Sequence, residues 1–390
     1  MVSAQLSAVC SGLKLADTAP LGLAVSGGSD SLALLHLVSL WAQRNGRGLH
    51  IVTVDHGLRP EAEQETDYVR QIGTALGHTH AVLKWATPHT GQKAARDARL
   101  RLICGHLQTR GIGVLLMGHT RTDVLETALI RRRRGVRGWA LAGPAPVAPA
   151  PVWPQGRNLA VVRPLASVLR ADLQAYLRQQ AIVWCDDPSN QNPDYERARI
   201  RMALQHHPKM VARCLTYIEG LQQARAEADL DLAQKLDTDL SIRETGLIWL
   251  RQDRPDPRLL TCVVRYAGGH DRLPRAEAVA RWQANTLKQG ARRTLGGAWF
   301  QRAAQGYWVG RAPARTSHAP SGDEKDRQAD TLWDGRYLSD PSQSAPLART
   351  LPFLMRAKAP PGPHWREIIS ERATFEALCY RLSGTAGAIG

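Results

Sequence analysis

The stretch Ser26-Gly27-Gly28-Ser29-Asp30-Ser31 decides the fold of this chain through the residues on either side of it. The apolar run 21–25 precedes it, and a helical pattern from Ser31 to Trp41 follows at once. Glycines without a Cβ let a backbone turn tightly beside an anion, and the N–H groups of the turn and of the following helix then point at that anion. The stretch therefore predicts a strand, a phosphate-binding turn and a helix, with residues 26–31 binding a nucleotide.

Asp30 is the unusual member of this turn, because a carboxylate beside a phosphate repels it. A bridging cation such as Mg²⁺ removes that conflict, so we expect Asp30 to hold the metal. The turn matches neither the Gly-x-x-x-x-Gly-Lys-Ser/Thr loop nor the Gly-x-Gly-x-x-Gly dinucleotide pattern. An ordinary tight turn capped by serines is the alternative interpretation.

Short apolar runs alternate with helical patterns through the first 190 residues. This alternation predicts βαβ units and a parallel sheet, in which ligands bind beyond the carboxyl ends of the strands. The predicted strands are 21–25, 50–55, 79–84 and 114–118, and the predicted helices are 30–44, 61–76, 92–110, 122–134 and 169–180.

The charge of the chain favours a polyanionic partner. Its 390 residues hold 51 Lys and Arg against 35 Asp and Glu, a net charge of +16. Residues 131–201 concentrate this excess, with 12 Arg against five acidic residues. An arginine-rich surface without a partner is the alternative.

The six cysteines are scattered and form no Cys-x-x-Cys, which argues against a zinc ribbon, an iron–sulfur cluster or a disulfide framework. No signal peptide pattern and no run of 18 apolar residues occurs, so we expect a cytoplasmic protein with no membrane partner. The sequence gives no indication of the oligomeric state.

The remainder of the chain is less regular. Five prolines in 139–156 predict a surface loop, and 193–235 is mostly helical in pattern. From about 236 several tryptophans appear, with a hairpin pattern over 294–309, and 311–330 is typical of a linker. We therefore expect a nucleotide-binding catalytic domain at 1–206, a helical and mixed domain at 207–312 that contacts the polyanionic partner, and a linker with a C-terminal extension at 313–390.

Two polar clusters follow predicted strands at the same edge of the sheet. In the first, Asp55 can reach a metal or a ribose, and Arg59 can reach a phosphate or a substrate carboxylate. In the second, His119 stands before a helix that carries Asp123 and Glu126 on one face, a set able to bind an amine, hold Mg²⁺ or move a proton. A polar turn is the alternative for the first cluster. For the second it is a helix N-terminus capped by Thr122, which does not explain Glu126 or His119.

A basic cluster follows at the end of this helix, where consecutive arginines repel one another unless an anion lies nearby. RNA phosphate is the natural partner, whereas favourable interaction with the helix C-terminus accounts for one or two of these side chains. The predicted RNA-binding residues are Arg131, Arg132, Arg133, Arg134 and Arg137. Further on, Asp-Pro-Ser-Asn at 187–190 is a turn by composition, and beyond it Arg197 and Arg201, four residues apart, can serve one ligand.

Taken together, these stretches resemble the tRNA(Ile)-lysidine synthetase family of PP-loop ATP pyrophosphatases over about residues 20–205. The matching motifs occur in the family's order: Ser-Gly-Gly-Ser-Asp-Ser (26–31), Val-Asp-His-Gly-Leu-Arg (54–59), Ala-Arg-x-x-Arg (95–99), Gly-His-Thr-x-x-Asp-x-x-Glu-Thr (118–127), Arg-Pro-Leu (163–165) and Asp-Asp-Pro-Ser-Asn (186–190). The resemblance implies an α/β fold, with a Rossmann-like parallel-sheet PP-loop domain (adenine nucleotide alpha hydrolase-like) followed by a helical and mixed C-terminal region.

The resemblance also implies a reaction. The family uses ATP to adenylate the wobble cytidine of isoleucine tRNA with anticodon CAU, and free lysine then displaces AMP at carbon 2. By resemblance, ATP and Mg²⁺ are the cofactors. The implied catalytic residues are Asp30, His119, Glu126 and Arg197. The implied ATP-binding residues are 26–31 and Asp55, and Arg59 and Asp123 are expected to contact lysine or substrate.

The chain departs from the family pattern at three places. It has Thr122-Asp123-Val124 where Asp-Asp-Gln is usual, Arg197-Ala198 where Arg-Asn is usual, and Leu100 where an aromatic residue is usual. A tRNA thiolase of the same loop family is a rival interpretation, although sulfur transfer needs reactive or cluster-binding cysteines. A non-catalytic RNA-binding homologue is another, and ATP cleavage to AMP and pyrophosphate would separate it from an enzyme.

Overall fold

The computed structural model describes residues 2–55, 61–85, 92–185, 194, 196–243, 245–269, 273–312, 332–333, 337–339, 365–367 and 369–386. The chain divides into two compact units, Met1–Asp231 with Leu378–Gly390, and Leu232–Ala377. The first boundary therefore lies within a long helix, 25 residues beyond position 206. The three functional regions expected from the sequence stay a prediction.

Unit 1 is built on a six-stranded sheet in the order β3-β2-β1-β4-β6-β5, parallel except for the antiparallel β5. Its strands are β1 (Leu21–Ala24), β2 (Leu49–Asp55), β3 (Thr79–Lys84), β4 (Val114–Met117), β5 (Val147–Pro149) and β6 (Ala160–Val162). The helices are α1 (Val2–Gly12), α2 (Ser29–Arg44), α3 (Glu61–Ala75), α4 (Gln92–Thr109), α5 (Arg121–Arg133), α6 (Arg170–Gln179), α7 (Glu196–Gln205) and α8 (Pro208–Thr238), the last continuing into unit 2.

The parallel α/β fold predicted from the sequence is confirmed, and each of the four predicted strands agrees with an observed one to within one residue. The central strands β1 and β4 are apolar and almost wholly buried, as is typical of a parallel sheet that is covered on both faces. Gly22 on β1 shows how closely they pack, since a Cβ there would lie 2.7 Å from the Leu107 side chain of α4. Because β1 connects to β2 on one side and β4 lies on its other side, the carboxyl ends of β1 and β4 form the crevice where such sheets bind ligands.

The predicted surface loop over 139–156 is wrong in part. Val147–Pro149 forms β5 and pairs with β6, and Leu141, Val147 and Val152 are buried. The five prolines of this segment concealed a strand because β5 is only three residues long and lies at the edge of the sheet, where a proline is tolerated.

Unit 2 carries a five-stranded antiparallel sheet in the order β7-β8-β11-β10-β9, and a three-stranded sheet β12-β13-β14. The strands are β7 (Leu240–Ile242), β8 (Ile248–Leu250), β9 (Arg292–Leu295), β10 (Ala298–Arg302), β11 (Tyr307–Arg311), β12 (Leu332–Trp333), β13 (Tyr337–Ser339) and β14 (Trp365–Glu367). The helices are α9 (Pro257–Gly268), α10 (Ala276–Ala284) and α11 (Ile369–Ala386), which ends in unit 1. The predicted hairpin over 294–309 is confirmed, whereas the predicted linker lies almost wholly outside the described residues. Among the described residues, no helix is both long and apolar enough to cross a bilayer.

A buried histidine pair predicts that unit 1 loses stability in mild acid. His50 on β2 is 3% exposed, and its ring nitrogens lie 2.7 Å from Thr79 Oγ1 and 2.8 Å from His106 Nε2. Burial, together with the neighbouring charges of Arg110 and His106, lowers the pKa of His50 to about 4. The unfolded chain, with a histidine pKa near 6.5, therefore takes up the proton first. The contribution of His50 to the free energy of unfolding is fully present above pH 6.5, and about 3 kcal/mol of it is lost as the pH drops to 4.

Urea unfolding of the full chain at pH 7.5 and pH 4.5 measures this effect. His50→Gln should reduce the loss of unfolding free energy between the two pH values, and the exposed His206→Gln should not. An unchanged loss in His50→Gln would show that other groups control the acid response.

Candidate active site at the carboxyl edge of the parallel sheet

The loop between β1 and α2 is held in shape by its own hydrogen bonds. Ser31 Oγ accepts from the Ser26 backbone N at 3.2 Å and donates to Gly28 O at 2.9 Å. Gly27 has a φ of +84°, which favours glycine, and Gly28 begins the helix with no side-chain cap. The first-turn N–H groups of α2 are therefore not occupied by a capping side chain, as an anion site requires.

Gly118, just after β4, lies directly against this loop. A Cβ at Gly118 would stand 3.1 Å from the Asp30 backbone oxygen and 3.2 Å from Ser31 Cα. The missing side chain thus lets the turn after β4 contact the first turn of α2. The second polar cluster of the sequence and the nucleotide loop are neighbours, as their positions after β4 and β1 predicted.

Arg170, the first residue of α6, connects three acidic side chains of this edge. Its Nε and Nη2 donate to Asp30 Oδ2 at 2.8 and 2.7 Å, and Nη2 also donates to Asp123 Oδ1 at 2.9 Å. Its Nη1 lies 3.5 Å from Glu126 Oε1. One guanidinium therefore joins the nucleotide loop to the carboxylates of α5.

Glu126 is fully buried and receives guanidinium groups from α7 as well. Arg197 Nε donates to Glu126 Oε2 at 2.6 Å and Arg201 Nε donates to Oε1 at 2.7 Å. Arg197 Nη2 reaches Asp123 Oδ1 at 2.9 Å. Both arginines thus serve one group, as their spacing of four residues predicted. We call Asp30, Asp123, Glu126, Arg170, Arg197 and Arg201 the six-charge cluster, which has three charges of each sign.

The electrostatics of this cluster follow from burial and pairing. Burial raises the pKa of Asp30, while the two hydrogen bonds and the charge of Arg170 act in the opposite direction. Burial would also raise the pKa of Asp123, but the charges of Arg170 and Arg197 outweigh it, and this pKa lies below its usual value. The acidic partners raise the pKa of Arg170 in spite of its burial. The cluster can therefore hold ionised groups close together and present them to a substrate.

His119 offers a neutral ring nitrogen beside this cluster. Burial and the charge of Arg163 lower its pKa to about 4, against the opposite effect of Asp123. Its Nδ1 is buried and has no hydrogen-bond partner among the residues that the structure describes. At neutral pH the imidazole can therefore accept a hydrogen bond or a proton from a ligand.

The threonines at the start of α5 differ from the sequence expectation. The helix is capped by Thr120 instead of Thr122, in a capping box with Asp123, whose Oδ2 accepts from the Thr120 backbone N at 2.8 Å. Thr122 Oγ1 accepts from the Arg170 backbone N at 3.1 Å. The threonine that departs from the family pattern at position 122 therefore has a structural role. Its bond fixes the start of α6 and, with it, the position of Arg170.

The remaining predicted ligands lie elsewhere or outside the described residues. Asp55 ends β2, next to β1, and its backbone oxygen accepts from Trp85 N at 3.0 Å. Arg59 and the Asp-Pro-Ser-Asn turn lie outside the described residues. Ala198, at another position where the chain departs from the family pattern, lies on α7 and is buried.

The arginine run divides into two groups. Arg131 donates to the Ala140 backbone oxygen, and Arg134 donates to Glu196 Oε2 at 2.6 Å. Arg132, Arg133 and Arg137 are exposed and make no ion pair within the described part of the chain. Only the second group is free to contact an added anion.

Sequence reasoning missed Arg170 as a site residue. A signal was present, because a cation in the first turn of a helix opposes the helix dipole and indicates a compensating partner. Those partners, Asp30 and Asp123, are 140 and 47 residues away, so their identity needed the fold.

The residues fit ATP with one magnesium ion. No group of three or more His, Cys, Asp or Glu side chains able to hold a metal occurs in the described part of the chain. Magnesium at a nucleotide, however, needs only one or two carboxylates together with phosphate oxygens. Among the described residues, the hydrogen-bond partner of Asp30 Oδ1 is Ser29 Oγ, at 3.4 Å, and this oxygen retains capacity for such an ion.

The comparisons with known proteins agree with this geometry. A family model described as the PP-loop domain matches residues 3–207. The tRNA(Ile)-lysidine synthase of Hyphomonas neptunium is 36% identical over 290 residues, covering 73% of this chain and 79% of that protein. That of Rhizobium meliloti is 32% identical over 335 residues, covering 81% and 72%. Among solved structures, the U34-tRNA thiolase NcsA of Methanococcus maripaludis is 15% identical, covers 56% of this chain and 78% of its own, and has a TM-score of 0.41, which is too weak to carry functional meaning.

Proposed function

Because this chain belongs to the tRNA(Ile)-lysidine synthase family of PP-loop enzymes, we propose that it joins the ε-amine of lysine to carbon 2 of the wobble cytidine in CAU-anticodon isoleucine tRNA. ATP is cleaved to AMP and pyrophosphate. The observation that carries this proposal is the contact between the 26–31 loop and the six-charge cluster at one sheet edge. It supplies a nucleotide site beside groups that can receive an amine.

In the first step the carbon 2 oxygen of the cytidine attacks the α-phosphorus of ATP, and pyrophosphate leaves. The first-turn N–H groups of α2 orient the phosphates, and Arg170 and Arg197 supply positive charge to the departing pyrophosphate. We assign Asp30 to one magnesium ion, which when bound neutralises phosphate charge.

In the second step the lysine amine attacks carbon 2, and AMP leaves with the electrons of the carbon–oxygen bond. The lysine ammonium must first lose a proton. We propose that Asp123, 14% exposed, holds the ammonium until its proton passes to solvent, and that His119 Nδ1 orients the amine by accepting a hydrogen bond from it. Glu126 is closed off by three arginines, so we assign it a positioning role through Arg170, Arg197 and Arg201 instead of direct proton transfer.

The test is one assay with purified protein, unmodified CAU-anticodon isoleucine tRNA, Mg-ATP and labelled lysine, followed by nucleoside analysis. Label in the wobble cytidine, dependent on ATP and accompanied by AMP, is the expected result. AMP formation with tRNA but without lysine transfer would reject lysine as the nucleophile. Failure to form AMP at all would reject the adenylation step.

Glu126→Gln tests the positioning role. Replacing one carboxylate oxygen by an amide NH₂ leaves either Arg197 Nε or Arg201 Nε facing a donor and removes the negative charge that holds both guanidinium groups in place. We expect lysine transfer to preformed adenylated tRNA to fall about 100-fold, with the KM for ATP little changed. The control is Glu219→Gln, which removes a surface ion pair with Arg121. An equal loss of ATP binding would show that Glu126 supports only the fold.

The exposed arginines at the end of α5 are the proposed tRNA contacts. Arg132→Ser with Arg133→Ser should weaken tRNA binding and lower the slope of log Kd against log salt by roughly two, one for each lost phosphate contact. The control is Arg44→Ser, which removes an exposed cation from the last residue of α2, at the end away from the 26–31 loop. It should leave the slope unchanged. An unaltered slope in the double variant would mean that these arginines face solvent in the complex.

We also propose a cytoplasmic location. The substrate is tRNA, and all six cysteines are free thiols, as a reducing compartment favours.

A further inference from the structure

One face of the five-stranded sheet of unit 2 packs into the hydrophobic core of that unit, and the other face lies outside it. Ile248, Phe300 and Val309 are fully buried on the inner face, and Trp282 of α10 packs against Phe300 with ring centroids 4.8 Å apart. The alternation of side chains along β8, β10 and β11 places three half-buried tryptophans on the outer face. They are Trp249, Trp299 and Trp308.

The three indoles form a row over the neighbouring strands β8, β11 and β10, with a ring contact between Trp249 and Trp308. Trp249 and Trp308 are register partners on β8 and β11, with ring centroids 4.8 Å apart at 50°. Trp299 of β10 lies over Gly310 of β11, where a Cβ would come within 2.7 Å of its Cζ2 atom. Gly310 therefore allows the indole to lie flat on the sheet, with its ring surface along the face instead of standing away from it.

Two arginines lie over this row. The Arg243 guanidinium is 4.8 Å from the Trp308 ring centroid, and that of Arg292 is 5.1 Å from the Trp299 ring. Arg292 Nε donates to Gln301 Oε1 at 2.9 Å, while the side chain of Arg243 makes no hydrogen bond to any described residue. The five strands hold four arginines and no acidic residue. The face is thus aromatic and cationic at once.

We propose that this face, defined by Trp249, Trp299, Trp308, Arg243 and Arg292, is a stacking platform for unpaired nucleotides of the tRNA. Flat aromatic rings accept nucleobases, and the adjacent guanidinium groups accept the phosphates that accompany them. The proposal rests on the proposed function for the identity of the RNA.

The charge pattern favours RNA over a protein partner. Residues 232–312 hold 14 Lys and Arg against seven Asp and Glu, and no carboxylate lies in the strands of the platform. Aromatic rings beside arginines are the groups that bind single-stranded nucleic acid, and a surface with this excess of positive charge and no carboxylate in its strands suits a polyanion.

The test measures equilibrium binding of a CAU-anticodon isoleucine tRNA transcript to the full chain. Trp308→Ala should raise Kd between about 5- and 100-fold, as the loss of one stacked base does elsewhere. Trp308→Phe keeps a ring and should restore most of the affinity. Arg243→Ser with Arg292→Ser should lower the salt slope by about two.

The matched control removes the same charge from the other side of the sheet. Arg275→Ser with Arg281→Ser changes two exposed arginines at α10, which packs on the inner face, and should leave Kd unchanged. Urea unfolding shows whether Trp308→Ala is folded. If Trp308→Ala is unfolded, the changes at Arg243 and Arg292 still test the proposal, because both side chains lie on the surface.

Chemical probing of unpaired tRNA nucleotides gives a second readout. Wild type should protect at least one unpaired nucleotide that Trp308→Ala leaves reactive. Unchanged Kd, unchanged salt slope and unchanged protection in the platform variants would overturn the proposal and point to a protein partner. Lysidine formation at saturating tRNA should persist in these variants. A wild type that binds tRNA but forms no lysidine would reject the proposed function alone.

Discussion

We expect Asp30→Ala to abolish ATP-dependent adenylation of tRNA while tRNA affinity stays near normal. The change removes the carboxylate assigned to the magnesium ion, and it releases the Arg170 guanidinium, whose Nε and Nη2 both bond Asp30 Oδ2. Losing both the metal ligand and the orientation of one phosphate-facing cation should lower the rate by about 10³-fold or more. The release of AMP and pyrophosphate measures adenylation. Equilibrium tRNA binding, measured in parallel, shows whether affinity for tRNA is retained.

Two further variants make this result specific. Asp30→Asn keeps the shape and one acceptor oxygen, which is enough for the two bonds from Arg170, but it removes the charge and should be nearly as inactive. Asp17→Ala removes a fully exposed carboxylate of unit 1 and should be as active as wild type. Turnover retained in Asp30→Ala would refute the metal role. A matching loss of tRNA affinity would show instead that the loop had lost its shape.

Arg170→Ala should damage both stability and adenylation. Without this guanidinium, Asp30 and Asp123 lose a shared partner, and buried Glu126 loses one of three. Removing one member of a buried ion cluster costs about 3–5 kcal/mol of unfolding free energy, because the remaining charges lack compensation. We expect a drop of that size in urea unfolding, together with at least a 100-fold slower adenylation.

Arg170→Lys distinguishes charge from geometry at the same position. Lysine restores the positive charge but not the planar fork that reaches two carboxylates. It should recover part of the stability and little of the activity. Arg44→Ala, at the far end of α2, serves as the surface control. Wild-type adenylation in Arg170→Ala would show that the guanidinium is dispensable to the reaction.

The parts of the fold that sequence predicts well are those with a strong local pattern. β1 through β4 are apolar runs bounded by turns and followed by helices, so both their existence and their order are readable. The strands β5 and β6 have three residues each, which is too short for a pattern, and β5 lies among prolines. The three-stranded sheet and α11 near the end of the chain were missed altogether for lack of a clear period.

The candidate site shows the same division. Asp30, Asp123 and Glu126 could be named from the sequence because each stands in a recognisable motif after a strand. Arg170 could not, since nothing local records that its side chain crosses to two other helices. The roles of Arg201 and Thr122 likewise depend on contacts between segments distant in the chain. Long-range ion pairing is set by the tertiary fold, and local pattern does not encode it.

The balance of the six-charge cluster has a consequence for how this gene can change. Three carboxylates and three arginines share so many contacts that losing any one of them leaves a neighbouring charge without its partner. A lone substitution at these positions should therefore be removed by selection even where the altered side chain never touches substrate. Divergence should proceed through compensated pairs, such as joint replacement of Glu126 and Arg201, and second-site suppressors of a defect at one position should map to the others.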